Sequence, residues 1–208
     1  MTSVLNCDRL RAMTAAALAA VREQADHFSA LDTVGGDGDH GTAIVTALTA
    51  VNRVAQEGTE LKKMLGDMGF GAMSEACGST STLIGSLFMG MSDGVQSEEL
   101  DAPATAAMFA AGLANLQKQT KATVGDKTLM DALVPAVEAM QANTGKDVQT
   151  MLNAAADAAA AGAESTKEMV ARFGRSRNLG DRVIGHVDAG AASMACIIRA
   201  FADGFSEA

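Results

Sequence analysis

Two helical patterns of this chain are joined by the segment Leu31-Asp32-Thr33-Val34-Gly35-Gly36-Asp37-Gly38-Asp39-His40-Gly41-Thr42. Its three aspartates repel one another, because two unit charges ~4 Å apart interact by about 1 kcal/mol in water and about 4 kcal/mol at an effective dielectric of 20. A bound cation would relieve this repulsion. Ligands that offer only oxygen favour Mg²⁺ or Ca²⁺ over zinc or copper, and the glycines allow the backbone to approach a ligand closely.

The residues that follow this segment predict a helix whose N-terminus lies beside the aspartates. Its free N–H groups and its dipole would favour an anion, so the pattern predicts a Mg²⁺–phosphate site. A surface turn without a ligand remains an alternative, since Asp and Gly are common in turns. An EF-hand loop starting at Asp37 does not fit, because Gly41 and Leu48 would occupy its fifth and twelfth positions. The chain also has no G-x-x-x-x-G-K-[ST] phosphate loop.

Length and composition favour one domain, over residues 1–208, with a substantial core. The net charge of −9 argues against nucleic acid or an anionic membrane as a partner. The three cysteines are scattered without a C-x-x-C pair, which is typical of reduced thiols in a cytoplasmic protein. We find no signal-peptide pattern and no apolar run long enough to span a membrane.

An all-α fold is predicted because the chain has no Trp or Tyr, only two prolines and few β-branched clusters. Apolar periodicity predicts about eight helices, over residues 8–29, 42–56, 60–75, from 83 onward, 103–120, 127–142, 147–169 and 190–204. Pro135 is expected to kink the sixth helix. Short loops favour antiparallel neighbours in a closed bundle. The polar segments 32–42, 77–82, 121–128 and 174–190 would then meet at one end.

Four motifs occur in order along the chain. They are the aspartate segment 31–41; Cys77-Gly78-Ser79-Thr80-Ser81 followed by Leu83 and Gly85; Gly125-Asp126-Lys127-Thr128 with Asp131-Ala132-Leu133-Val134-Pro135; and Gly174-Arg175 through Leu179-Gly180-Asp181-Arg182 to Gly185-His186, Asp188 and Gly190. Together they resemble the nucleotide-binding L subunit, or C-terminal domain, of the dihydroxyacetone kinase family. The resemblance covers essentially the whole chain.

The resemblance implies a barrel-like bundle of eight antiparallel amphipathic helices with the nucleotide at one end. It also implies that Asp32, Asp37 and Asp39 hold two Mg²⁺ ions against the phosphates of ADP or ATP. The other nucleotide contacts that it implies are His40, Gly41, Thr42, Ala43, Gly78, Ser79, Thr80, Gly125, Arg182, Asp188 and Gly190. Lys127 either reaches a phosphate or lies in the first turn of its helix, and Arg175 and Arg177 are expected to be solvated or to face a partner.

The function implied by the resemblance is that of a phosphotransferase subunit, inactive alone. It would pass a phosphoryl group to a small ketose that a separate K-type subunit holds. ATP or a phosphotransferase-system phosphoprotein would be the donor, and the chain could form a homodimer. Ala43, Ser81 and Ala189 replace the family's usual Asn, Gly and Pro, which leaves a tetrulose such as erythrulose open as the acceptor. An ADP-sensing module that docks to a transcription factor is the other alternative.

Overall fold

The computed structural model describes residues 4–75 and 78–207, so Cys77 of the second motif lies outside the described residues. The described residues form nine α-helices: α1 (Cys7–Glu23), α2 (Ala25–Asp32), α3 (His40–Glu57), α4 (Leu61–Glu75), α5 (Ser79–Gly94), α6 (Ala102–Leu116), α7 (Met130–Ala142), α8 (Val148–Ser165) and α9 (Ala189–Glu207). Two 3₁₀ segments, Thr166–Glu168 and Arg175–Val183, lie between α8 and α9. The β-pairing in this part of the chain is one antiparallel bridge between Leu5 and Leu100. The predicted all-α fold is therefore confirmed.

Eight of the helices form a closed ring. The neighbours around it are α1, α3, α4, α5, α6, α7, α8 and α9, and α9 packs back against α1. The predicted bundle of eight antiparallel helices is thus confirmed. The short α2 is additional, because the predicted helix over 8–29 is divided at Gln24, whose φ of −104° and ψ of 9° depart from helical values. Helix α2 packs against α3 and α9. None of the described helices combines the length and apolarity needed to cross a bilayer.

The interior of the ring is filled by aliphatic, methionine and phenylalanine side chains. Five phenylalanines are fully buried, and the ring of Phe201 lies 6.5 Å from that of Phe88 and 6.3 Å from that of Phe109. Glycines bring α4 and α5 into close contact, since a Cβ on Gly69 would lie 2.6 Å from the carbonyl oxygen of Gly85. Small residues between helices and methionines in irregular gaps account for dense packing without tryptophan.

Helix α7 continues through Pro135, so the proline does not end the helix. Because proline has no N–H, the carbonyl of Asp131 loses its partner four residues later. Helix α8 packs directly on this carbonyl, since a Cβ at Gly162 would overlap the Asp131 oxygen. Helix α8 can therefore approach α7 this closely because residue 162 is a glycine, which faces the carbonyl of Asp131 that Pro135 leaves without its helical partner.

The two ends of the ring differ in how their helix N-termini are capped. Helices α1, α4, α6 and α8 begin at one end, the far end. There a side-chain oxygen accepts a hydrogen bond from the first turn of each helix, at distances of 2.8–3.1 Å; the four acceptors are Asn6, Glu98, Asp101 and Asp147. These bonds satisfy amide groups that would otherwise lack partners.

Helices α3, α5, α7 and α9 begin at the opposite end, which we call the site end. The residue that precedes each of α3, α5 and α7 makes no side-chain capping bond within the described residues. Two side-chain caps occur there within the described residues: Asp188 accepts from the N–H of Ala191 at 2.8 Å, and the hydroxyl of Thr128 accepts from the N–H of Met130, the first residue of α7, at 3.2 Å. The starts of α3 and α5 therefore direct backbone amides and positive helix dipoles toward the site end, where they suit an anion.

Candidate functional site

The four polar segments meet at the site end, as predicted, and enclose a cavity of about 610 Å³. The aspartate segment and the start of α3 contribute Asp32, Asp39 and His40, and the start of α5 contributes Ser79 and Thr80. The segment before α7 and the two parts of the α8–α9 connection complete the lining, with residues 127–130, 173–178 and 188–190. A cavity of this size is within the range of small-molecule and nucleotide pockets.

Asp32, Asp37 and Asp39 form a carboxylate cluster in which one oxygen from each residue lies within 4.8 Å of the others. The loop backbone holds Asp32, whose Oδ2 accepts from the N–H of Gly38 at 2.9 Å. Asp39 precedes α3, but its side chain does not cap the helix, so its carboxylate remains available to a ligand. Three oxygen ligands with this spacing fit a hard cation such as Mg²⁺.

The carboxylate cluster is only partly neutralised by the protein. Arg175 forms an ion pair with Asp37, and this hydrogen bond lowers the pKa of Asp37 below its ordinary value. Burial, followed by the neighbouring charge of Asp37, raises the pKa of Asp39. One guanidinium beside three carboxylates leaves a net negative charge at the cluster, which is the electrostatic condition that favours a divalent cation.

His40 joins the first turns of three helices at the floor of the cavity. Its Nε2 lies 2.8 Å from the hydroxyl of Ser193 on α9, and its Nδ1 lies 3.4 Å from that of Thr80 on α5. Ser193 donates its own proton to the carbonyl of Gly190 at 3.1 Å, so we assign the N–H to Nε2 and the acceptor role to Nδ1. Burial lowers the pKa of His40 despite the attraction of Asp32 and Asp39, which is consistent with a neutral ring.

Lys127 occupies a buried position between the loops. It is the one non-glycine residue of the described chain with a positive φ, 60°, and its ammonium donates to the carbonyls of Thr166 and His186. Burial lowers the pKa of Lys127, and the nearby Asp188 and Asp131 oppose that shift. Lys127 precedes α7 and does not lie in its first turn. Its side chain lines the cavity while holding the α8–α9 connection in place.

The pKa of Asp188, the residue immediately before α9, is also shifted. Burial raises the pKa of Asp188 to about 6, although its bond to Ala191 and the charge of Lys127 act in the other direction.

At the start of α5, Gly78 adopts a φ of 108°, which favours glycine, and places Ser79 and Thr80 at the cavity wall. The cavity therefore combines carboxylates, a buried ammonium, hydroxyl groups and helix N-termini.

The structure brings most of the predicted site residues together. Seven of them line the cavity: Asp32, Asp39, His40, Ser79, Thr80, Asp188 and Gly190. Asp37 completes the carboxylate cluster. The remaining predicted contacts do not line the cavity and stay predictions: Gly41, Thr42, Ala43, Gly78, Gly125 and Arg182.

Local packing explains several of these positions. Gly41 is buried, and a Cβ there would overlap the carbonyl oxygen of Ala25 on α2. The N–H of Ala43 bonds within α3, to the carbonyl of Asp39, at 2.9 Å. The N–H of Gly125 donates to Asp131 at 2.6 Å. Arg182 is exposed, and its Nε donates to the carbonyl of Leu179 at 3.2 Å.

Sequence reasoning missed other residues of the cavity. Arg175 and Arg177 line it, whereas the sequence indicated solvated or partner-facing arginines. Phe173, Asn178 and Ser193 were not identified at all. Only Ser193 carried a usable signal, because it lies three residues after Gly190 and so shares a face of α9 with it.

Comparison with known proteins gives consistent matches. A model described as the DAK2 domain matches residues 34–203. The chain is 34% identical over 181 residues to the ADP-binding subunit DhaL of PEP-dependent dihydroxyacetone kinase 2 from Listeria innocua, covering 84% of each chain. It is 32% identical over 194 residues to the D-erythrulose kinase of Mycolicibacterium smegmatis, covering 88% of this chain and 33% of that enzyme.

A solved structure supports the same relationship. The dihydroxyacetone kinase of C. freundii, in complex with AMP-PNP and Mg²⁺, superimposes with a TM-score of 0.72 and 25% identity. The alignment covers 93% of this chain and 33% of the kinase. This chain thus spans about a third of the larger kinases and most of the length of the Listeria subunit.

Proposed function

The chain belongs to the DAK2 domain family, and we propose that it is the Mg²⁺–nucleotide-binding subunit of a dihydroxyacetone-type kinase. In this role it presents a phosphoryl group to a small ketose held by a separate K-type subunit. The observation that carries the proposal is the carboxylate cluster beside uncapped helix N-termini in one cavity. The Listeria relative, described as an ADP-binding subunit, supports it.

The carboxylate cluster is the proposed metal site. Asp32, Asp37 and Asp39 would hold Mg²⁺, with two ions as the family resemblance implies. Bound Mg²⁺ supplies charge neutralisation and orientation of the phosphates, which are the main requirements of phosphoryl transfer. Asp37 would have to share its carboxylate with the metal, because it pairs with Arg175 in the present arrangement.

The proposed phosphate site lies where α3 and α5 begin. The amides of their first turns and the hydroxyls of Ser79 and Thr80 would donate to phosphate oxygens. Apolar side chains on the cavity wall would contact the base, namely those of Leu83, Leu129 and Phe173. The ammonium of Lys127 would add positive charge to the lining of the cavity. Together these groups position the nucleotide and exclude water from its phosphates.

The donor and the acceptor complete the proposal. The Listeria relative is described as part of a PEP-dependent kinase, which favours an ADP that is rephosphorylated in place by a phosphoprotein over an ATP that exchanges. The D-erythrulose kinase relative favours a tetrulose as a second candidate acceptor. Mixing this chain with a K-type subunit, and comparing ATP with a phosphorylated donor on dihydroxyacetone and erythrulose, would distinguish these possibilities. This chain alone should transfer nothing measurable.

The binding assignment is tested by calorimetry with MgADP and the Asp37→Asn variant. Loss of one metal-binding charge should weaken MgADP binding by at least about tenfold, since even outer partners of metal ligands have effects of that size. The matched control is Asp67→Asn, because Asp67 is an exposed aspartate paired with Lys63 on α4. Unchanged affinity in Asp37→Asn would show that the metal assignment is wrong.

A further inference from the structure

The connection between α8 and α9 supplies one wall of the cavity, and its two ends are bonded to each other. Six consecutive residues from its middle, 173–178, line the cavity. At its ends, the N–H of Asp188 donates to the hydroxyl of Thr166 at 2.9 Å, and the N–H of Gly185 donates to the carbonyl of Lys167 at 2.7 Å. We call residues 166–167 and 185–188 the neck of the connection.

Lys127 joins both sides of the neck. Its ammonium donates one hydrogen bond to the carbonyl of Thr166 and another to that of His186. Hydrogen bonds from a charged donor are about twice as strong as those between neutral groups. The backbone beside Lys127 is fixed to the start of α7, since the N–H of Thr128 donates to the carboxylate of Asp131 at 2.8 Å. The lysine side chain therefore ties the neck to the ring of helices.

The conformation of Lys127 indicates that its side chain has a specific role. Its φ of 60° lies in the left-handed region, and it is the one non-glycine residue of the described chain with a positive φ. A glycine would adopt this angle without strain, whereas a strained residue persists only where the surrounding structure holds it. Lys127 is also buried, which deprives its charge of water. The bonds from its ammonium to the neck oppose both effects.

The middle of the connection is held less firmly than the neck. The N–H of Arg172 donates to the carbonyl of Asp126 at 3.1 Å, and Arg175 pairs with Asp37. Both side chains of that ion pair are at least half exposed, and exposed pairs contribute little to stability. Four hydrogen bonds meet at the neck, and two of them come from Lys127. The position of the cavity wall that the connection forms therefore depends on the neck.

We propose that Lys127 is a positioning residue for the nucleotide: its ammonium closes the neck, and the closed neck keeps residues 173–178 at the cavity wall. The inference rests on the Mg²⁺–nucleotide function proposed above. Both carbonyls that the ammonium binds belong to the neck, so Lys127 acts on the nucleotide mainly through the connection. Loss of its ammonium should therefore weaken nucleotide binding without weakening the metal site.

Lys127→Met tests this proposal, because methionine keeps much of the length of the side chain and removes the ammonium. MgADP should bind at least about tenfold more weakly, since a tenfold change corresponds to about 1.4 kcal/mol and a hydrogen bond from a charged group contributes about as much or more. Mg²⁺ without nucleotide should bind no more weakly than in the wild type, because a positive charge has been removed. Both affinities are measured by calorimetry on the intact protein.

The matched control is Lys121→Met. It removes the same charge from the same segment before α7, but Lys121 is exposed and does not line the cavity. Its affinities for Mg²⁺ and for MgADP should both equal those of the wild type.

Amide hydrogen exchange shows whether the effect of Lys127→Met is local. Peptides covering residues 166–188 should exchange at least about tenfold faster than in the wild type, whereas peptides from α5 and α6 should keep their exchange rates, because only the connection opens. If all of these peptides exchange faster to the same extent, the variant has lost stability throughout, and the positioning role is wrong.

Chemical rescue separates the ammonium of Lys127 from the bulk of its side chain. Lys127→Ala removes the atoms of a propylammonium ion from a position that lines the cavity. Added propylammonium should strengthen MgADP binding to this variant by at least about threefold, because it restores the charged donor, and neutral propanol should not. Wild-type MgADP affinity in Lys127→Met, or equal effects of propylammonium and propanol, would overturn the proposal. Wild-type protein that binds neither Mg²⁺ nor MgADP would instead overturn the proposed function.

Discussion

His40 and Ser193 link the first turns of α3 and α9, with the imidazole Nε2 2.8 Å from the serine hydroxyl. The two helices are far apart in the chain, and both begin at the site end. Burial lowers the pKa of His40, which favours the neutral ring, so the contact connects the two helices at the floor of the cavity without requiring a charge there.

Removing the hydroxyl of Ser193 should leave the half-buried imidazole donor of His40 without this partner. Ser193→Ala is expected to reduce the free energy of unfolding by about 1–2 kcal/mol, which is the usual effect of an unsatisfied buried group. Urea denaturation followed by circular dichroism measures it. Ser165→Ala serves as the control, because its hydroxyl is exposed and bonds only to the carbonyl of Gly162. Equal stability losses in the two variants would argue against the role assigned to His40.

A methyl group at Gly41 should be poorly tolerated. Gly41→Ala is expected to destabilise the protein by about 2–3 kcal/mol, because the Cβ would overlap the Ala25 carbonyl and force α2 away from α3. Gly145→Ala is the control, since an added Cβ at this position has no neighbour within 4 Å. Thermal unfolding of both variants checks the difference. A Gly41→Ala protein as stable as the control would contradict the packing of α2 described above.

The buried Asp188 should make stability depend on pH. Its pKa is about 6 in the folded protein against an ordinary 3.8, so the folded state holds a proton that the unfolded chain releases between these values. The resulting stabilisation is full below pH 3.8 and is lost as the pH rises through about 6. Asp188→Asn keeps a capping oxygen. It should be more stable than wild type by about 1–2 kcal/mol at pH 7.5, since lost attraction to Lys127 offsets part of the gain.

Denaturation at pH 4 and pH 7.5 measures this effect, and the difference between Asp188→Asn and wild type should nearly vanish at pH 4. Asp157→Asn is a suitable control, because Asp157 is an exposed partner of Arg199. A difference of the same size at both pH values would show that Asp188 does not titrate as described.

The absorbance spectrum should report bound nucleotide. The chain has no Trp or Tyr, so it absorbs almost nothing at 280 nm and bound adenine would dominate near 260 nm. If the subunit retains ADP, the 260 nm peak should survive gel filtration in Mg²⁺ and disappear with a chelator, because metal links the aspartates to the phosphates. An exchanging subunit would lose its nucleotide on the column and regain it on titration. Protein that stays empty with MgADP and MgATP contradicts both versions.

Much of the fold could be predicted from sequence because helix periodicity is a local signal. The eight ring helices and the family were predicted correctly. The break at Gln24 was not, because the apolar pattern continues across it to Phe28. The direction in which α2 leaves α1 depends on contacts with α3 and α9, which no local pattern records.

The site was predicted less completely for a similar reason. The aspartates stand out because their charge repulsion is visible in the sequence itself. Arg175 and Arg182 look alike in sequence, yet one pairs with Asp37 and the other is exposed outside the cavity. The kink at Gly180 within their shared 3₁₀ segment separates them, and a glycine in a sequence does not reveal which way the chain turns.

The two ends of the ring differ in function as well as in capping: every helix that begins at the far end has a side-chain cap, whereas α3 and α5, within the described residues, begin without one beside the cavity. Side-chain caps and the Leu5–Leu100 pairing order the far end without using any residue of the cavity. We therefore expect the loops of the site end to tolerate changes in length or sequence better than the turns of the far end. The ring is therefore suited to engineering, in which residues at the site end are changed to bind new ligands while the contacts at the far end maintain the fold.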